Sequence, residues 1–172
     1  EFYRGYRDIE GEDRKIFSDH DWYGALYYKI ITAKMKRNSR KRTYMLLGWD
    51  GHNQFSTIKF VDVMTLTPKG IRFGDDIFNI PGEPNIRRVI LEYKSDASVT
   101  LRYDEKKGQI VFNELVPMEP DLDGLPEFYV PLLEFNALEW KRRKWTLVED
   151  VDARMNDKGR LYFDPPAEQN IR

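Results

Sequence analysis

The sequence predicts an all-β fold: an antiparallel meander forming a sandwich or a curved, barrel-like sheet, with little helix. Three observations carry this expectation. Aromatic residues make up 14% of the 172-residue chain, as 10 Tyr, 10 Phe and 4 Trp, and large rings suit pleated, half-buried surfaces. Apolar and polar residues alternate with a period of two in several stretches, most clearly Val99, Leu101 and Tyr103 against Thr100 and Arg102. Turn residues punctuate the chain often enough for roughly eight to ten short strands.

Residues 1–21 are charged and broken by Gly5 and Gly11, so they read as an irregular entry segment with one short helix near 12–17. A long strand is expected over 22–33, where aromatic and β-branched residues crowd. The basic stretch 34–42 follows as a hairpin tip around Asn38-Ser39. Residues 43–49 are nearly all apolar, which predicts a strand buried on both faces. Asp50-Gly51-His52-Asn53 is the next turn, with Gly51 placed to take positive φ. A strand over 56–66 then meets the turn Thr67-Pro68-Lys69-Gly70. A short strand over 71–73 follows, and the chain breaks again at Pro81-Gly82-Glu83-Pro84.

Residues 88–93, 98–103 and 109–115 read as three consecutive strands of one meander. The Pro-, Asp- and Gly-rich stretch 116–126 is a loop. Two short strands are expected over 127–130 and 132–140, or one helical turn in place of the second. Residues 141–144 form a tip before a last strand over 145–151. The division expected is an entry segment at 1–21, a β domain at 22–153 and a polar tail at 154–172.

Composition removes several functions. With no cysteine, disulfides, thiolate metal sites and cysteine nucleophiles are absent. Lys and Arg (28) nearly cancel Asp and Glu (29), so no global attraction to nucleic acid or anionic lipid is expected. No apolar run reaches the roughly 18 residues that span a bilayer as a helix. No signal peptide is read; the chain begins at Glu1 rather than Met and is expected to be a fragment or a processed chain, which is compatible with a removed export signal.

Several segments together carry a resemblance: Asp21-Trp22-Tyr23-Gly24-Ala25-Leu26-Tyr27-Tyr28, Leu46-Leu47-Gly48-Trp49-Asp50-Gly51, Arg72-Phe73-Gly74 with Ile77-Phe78, Arg88 to Tyr93, and Ser98 to Glu105. Over residues 21–153 the chain resembles an uncharacterised family of conserved exported proteins of Bacteroidota. In that family the comparable region looks like the C-terminal half of a longer chain. The resemblance implies a periplasmic or outer-membrane-associated location; it implies no mechanism and transfers no catalytic residue.

The candidate site residues begin at the end of the second expected strand, 43–49. Trp49, Asp50, His52 and Asn53 bring a ring, a carboxylate, an imidazole and an amide into one turn, groups that bind sugars by stacking and hydrogen bonding. The simpler reading packs Trp49 in the core and has Asp50 accept the backbone N–H groups of its own turn. His20 and His52, with Asp19, Asp21 and Asp50, would make a metal site only if their segments met; no metal is expected. Asp121-Leu122-Asp123-Gly124 and Asp150-Val151-Asp152 space carboxylates as calcium loops do but lack the closing Glu, so both read as turns. Asp62, Glu92, Glu114 and Glu134 lie on or beside strands, where a pair could converge for glycoside hydrolysis. No G-x-S-x-G elbow, phosphate loop or dinucleotide fingerprint occurs.

Basic tips are the best sign of a partner. Arg37, Arg40 and Arg42 crowd one tip, and Arg142 and Arg143 another; placed at one end, they would form a cationic rim. The simpler reading is that charged tips keep hairpins soluble and block edge pairing. The function expected is a non-enzymatic cell-envelope β domain that binds or scaffolds another envelope protein or a larger assembly. The second reading is a carbohydrate-binding module or glycoside hydrolase using Trp49 and nearby carboxylates. No catalytic residue and no cofactor are expected, and nucleic acid and membrane spanning are not.

Overall fold

A computed structural model describes residues 11–22, 24–32 and 42–153. Within them the fold is all-β, as expected, and eleven strands form two sheets. The first sheet holds β1 (Phe17–Ser18), β2 (Leu26–Thr32), β3 (Arg42–Asp50), β4 (Ser56–Thr67), β5 (Gly70–Phe73) and β7 (Val89–Lys94). The second holds β6 (Phe78–Asn79), β8 (Leu101–Asp104), β9 (Gln109–Pro117), β10 (Tyr129–Lys141) and β11 (Lys144–Val148). All pairings are antiparallel except the short parallel contact of β6 with β11.

Each sheet contains one meander, β2-β3-β4-β5 in the first and β8-β9-β10-β11 in the second. Local turns explain this, since short connections join sequence neighbours as antiparallel partners. The three-strand meander expected over 88–115 is different. β7 pairs with β4 in the first sheet, and only β8 and β9 pair with each other. Between them the chain changes sheets through 95–100, where Val99 is buried and Asn113 Oδ1 accepts the Thr100 N–H at 2.6 Å. The choice of sheet depends on partners far away in sequence, which alternation cannot encode.

Smaller departures follow the same logic. The helix expected near 12–17 is one 3₁₀ turn, Glu12–Arg14, followed by β1. The first long strand starts at Leu26, after Gly24 takes φ 81°. The two short strands expected over 127–140 are one strand, β10, whose pairing to β9 shifts between Pro131 and Phe135. In the β3–β4 turn the positive φ falls on His52 (42°) rather than on Gly51. The basic stretch 34–41 and the tail 154–172 lie outside the described residues.

The core lies between the sheets. Met45, Leu47, Val61 and Val63 of the first sheet meet Leu101, Ile110, Leu138 and Trp145 of the second, all buried. Burying one such aliphatic side chain contributes about 1.5–3 kcal/mol. The strand expected to be buried on both faces is so: Met45 and Leu47 face the second sheet, while Leu46 belongs to a separate outer cluster with Phe17 and Phe73.

That outer cluster surrounds a buried ion pair. β4 is flanked by β3 along most of its length, but its other side is shared: Ser56 to Val61 pair with β7, and Met64 to Thr67 with β5. Asp62 sits at the gap, and the Arg88 Nε lies 3.3 Å from its Oδ1; both side chains are fully buried. Arg88 Nη1 donates to the carbonyls of Glu12 and Lys15, and its guanidinium lies 4.7 Å from the Phe17 ring centroid. Gly74 makes room for it: a Cβ there would meet Lys15 O at 2.8 Å and Arg88 Nη2 at 3.0 Å. Asp62 also accepts from Tyr27 Oη (3.2 Å) and Val63 N (2.7 Å). Burial pushes the Asp62 carboxyl up from its ordinary value, and Arg88 and the two hydrogen bonds pull it part of the way back.

Candidate binding groove at the open edge of β7

The described residues include three long or middle-length free edges, on β2, β7 and β8, and they are finished differently. β2 carries a register shift between Tyr27 and Lys29, and Lys29 is paired with Glu105 at 2.7 Å. β8 is flanked by the segment leaving β11: Arg102 Nη2 donates to Ala153 O and Lys107 Nζ to Asp152 O. Bulges, charges and covering segments are the usual ways to block edge pairing. β7 has an unbroken register and, among the described residues, β4 as its one ladder partner, with the 126–128 turn packed nearby but not hydrogen-bonded to its backbone.

Beside β7 runs a groove of about 720 Å³. Ile80 and Ile86 border it on one side, with Leu115 of β9 and Pro126 of the β9–β10 connection. That connection contains the 3₁₀ turns Pro120–Leu122 and Pro126–Phe128, and Tyr129 pins it by donating to Asp123 and accepting from Gly124 N at 3.2 Å. The Asp123 carboxylate beside it raises the Tyr129 hydroxyl pKa and keeps its proton in place. Four carboxylates line the groove, from Asp13, Glu83, Glu92 and Glu127, against one imidazole, His52. Arg14, outside the lining, pairs with Glu83 at 2.6 Å and lies 3.8 Å from Asp13.

Local turn chemistry sets the polar end. Asp50 Oδ1 accepts His52 N at 2.9 Å, and Asn53 Oδ1 accepts Phe55 N at 2.7 Å and Ser56 N at 2.9 Å. The turn thereby brings the His52 imidazole to 3.8 Å from Glu92 Oε1, both side chains largely buried. Ser56 Oγ donates to the same carboxylate and accepts from Asn53 Nδ2 at 3.0 Å. The residue types resemble a hydrolytic triad, but the arrangement is wrong for one. Ser56 is 1% exposed, and its proton is aimed at a carboxylate rather than at the imidazole.

The turn residues singled out from sequence are therefore divided. Asp50 and Asn53 act as turn formers. His52 goes to the groove, while Trp49 lies on the opposite face with its register partner Lys59 and with Leu26. Trp49 is 39% exposed, not packed in the core, and its ring rests over Gly51, whose added Cβ would lie 3.2 Å from it. His20 lies beside the β4–β5 turn and His52 at the other end of β4, roughly 35 Å apart for a strand of this length. The two-imidazole metal site is thus excluded, and no cluster of metal-ligating side chains occurs among the described residues.

No known family, curated protein or solved structure matches this chain.

The other candidates separate similarly. Asp62 is held by Arg88 inside the outer cluster, whereas Glu92 faces the groove, so they do not form a hydrolytic pair. Arg142 and Arg143 are exposed at the β10–β11 tip with φ of 48° and 68°. Their neighbours Lys141 and Lys144 are paired with Glu139 (2.6 Å) and Asp76 (3.0 Å). Arg42 is exposed at the start of β3, and Arg37 and Arg40 lie outside the described residues. No helix is long and apolar enough to cross a membrane among the described residues. Sequence reasoning named His52 and Glu92 separately and missed Ser56 and Glu127; only the β4–β7 register brings Glu92 and Ser56 together.

Proposed function

We propose that this chain is a non-catalytic binding domain that holds a protein partner in the groove beside β7. The cell-envelope setting is supported only by the family resemblance. The observation that carries the reading is the combination of apolar walls, an acidic lining and a strand edge with no second ladder partner among the described residues, all in one groove. Concave, mostly apolar sites with a few placed polar groups are what binding surfaces require. The polar cluster at its end supports binding over catalysis, because its one hydroxyl is buried and unactivated.

Site-specific photo-crosslinking tests this. A photoreactive residue at Glu127 is expected to give one recurrent protein adduct in native envelope preparations, and none when placed at exposed Lys106. Equal labelling at both positions, or none at either, overturns the proposal. The carbohydrate reading keeps one support, the partly exposed Trp49 ring, but the structure gives that ring Lys59 and Leu26 as neighbours rather than a carboxylate pair. Glycan-array binding abolished by Trp49→Ala would restore it.

A further inference from the structure

We infer that the groove takes an extended peptide that adds to β7 as a new strand and carries basic residues alternating with aliphatic ones. The inference rests on the binding reading above and names the partner's chemistry and mode of attachment.

The backbone comes first. Ser95 N donates to Phe55 O at 2.9 Å, and this pair continues the β4–β7 register. Hydrogen-bonded and non-bonded pairs alternate along an antiparallel ladder. Val89, Leu91 and Tyr93 therefore spend their backbone groups on β4, and Ile90, Glu92 and Lys94 point theirs at the groove. The 126–128 turn approaches β7, but no backbone hydrogen bond joins the two among the described residues. An extended chain laid there meets a row of donors and acceptors at the spacing of its own.

Side chains then select the occupant. Successive residues of an added strand point to opposite faces. On the face shared by Ile90 and Glu92, the neighbours are the Glu92 carboxylate and His52; toward the sheet interface they are Ile86 and Leu115. Alternating cationic and aliphatic residues fit both rows. Arg14 serves both Glu83 (2.6 Å) and Asp13 (3.8 Å), and His52 faces Glu92 at 3.8 Å, so four carboxylates stand against one guanidinium and one imidazole and the groove keeps an acidic excess. Charge complementarity thus favours a basic strand over an acidic one or a second copy of this near-neutral chain. The other free edges do not compete, because β2 is bulged and β8 is flanked by 152–153.

The test is a titration of the full chain with three short peptides, read by fluorescence anisotropy and amide hydrogen exchange. One alternates lysine with valine, one replaces lysine by glutamate, and one is the lysine peptide N-methylated at alternate amides. The lysine peptide is expected to bind and to slow exchange at Ile90, Glu92 and Lys94. Methylation in the register that faces β7 removes at least two hydrogen bonds, which predicts roughly tenfold weaker binding. The glutamate peptide is expected to bind more weakly still, and Glu127→Lys to weaken the lysine peptide with no change in thermal stability.

Binding that ignores methylation and leaves those amides unprotected would overturn strand addition while sparing the binding reading. So would failure of every peptide when Glu127 still crosslinks one protein. Protection of the same amides in the free chain, with sedimentation as a dimer, would assign the edge to a second copy. Loss of both crosslinking and peptide binding would remove the binding reading itself.

Discussion

Along β4, Val61 and Val63 face the second sheet, while Phe60, Asp62 and Met64 face the N-terminal segment. Both faces are buried, yet by different chemistry. At Val61 and Val63 the inner face is aliphatic, and their stabilisation is non-directional and proportional to area. The outer face stacks Trp22, Tyr27 and Phe73, with Trp22 5.3 Å from Tyr27 and 5.0 Å from Phe73, beside the Asp62–Arg88 pair. A buried ion pair is poor evidence of added stability but is costly to break. Its guanidinium needs carbonyls from Glu12 and Lys15, so only the correctly placed entry turn can close this face. The inner face thus stabilises the sandwich, whereas the outer face specifies which segment covers it.

The sharpest way to break that contrast is Arg88→Met. It leaves Asp62 buried without its cation and is expected to cost about 3–5 kcal/mol in urea unfolding. The deficit should shrink as the pH falls, because a carboxyl whose folded pKa is raised favours the folded state only where it can hold its proton. Adding Asp62→Leu should recover most of the loss. If Arg88→Met alone stays within about 1 kcal/mol of the parent, the outer face is no more specific than the inner one.

Next in size is Gly48→Ala. A Cβ at this position would lie 2.4 Å from two Phe60 ring atoms and 3.0 Å from Tyr27 Cδ1. Overpacking of this kind costs about 1–3 kcal/mol. Phe60→Leu in the same chain is expected to return part of it, which a urea series on the single and double variants measures. Equal melting of Gly48→Ala and the parent would show that the outer aromatic cluster yields easily.

The smallest effect concerns a polar stitch between the sheets. Tyr28 Oη donates to Leu101 O at 2.9 Å, and desolvation, with a further push from Tyr93, raises its pKa to about 12. A group raised above its unfolded value contributes stability below that value, here pH 10, and loses it as the pH rises through about 12. The side chain is 46% exposed, so the effect is screened and modest. Tyr28→Phe is expected to cost about 0.5–1.5 kcal/mol at neutral pH and to flatten the alkaline decline between pH 10 and 12. A parallel decline in both proteins would count against the stitch.

The sequence made local structure readable and left long-range structure hidden. Thr67-Pro68-Lys69-Gly70 and the 141–144 tip form the hairpins expected of them, because turn chemistry acts over four residues. The transfer of β7 to the first sheet was hidden because the same alternation suits either sheet. Arg88 stood at the head of an expected strand, and nothing in the alternation marks a charge that will be enclosed. Asp50 and Asn53 were legible as turn formers. The groove was not, because its far wall comes from Leu115 of β9 and the 124–129 stretch and its near wall from β7, segments that share no local pattern.

The contact between Arg88 and the Glu12 carbonyl spans 76 residues of chain. A ribosome adding about 5–20 residues per second needs roughly 4–15 s to deliver the arginine after the turn it secures. The Glu12–Arg14 turn consequently waits for Arg88 before it can be locked, and until then the outer face of β4 lacks that closure. Whatever chaperones this chain during synthesis has that interval in which to act.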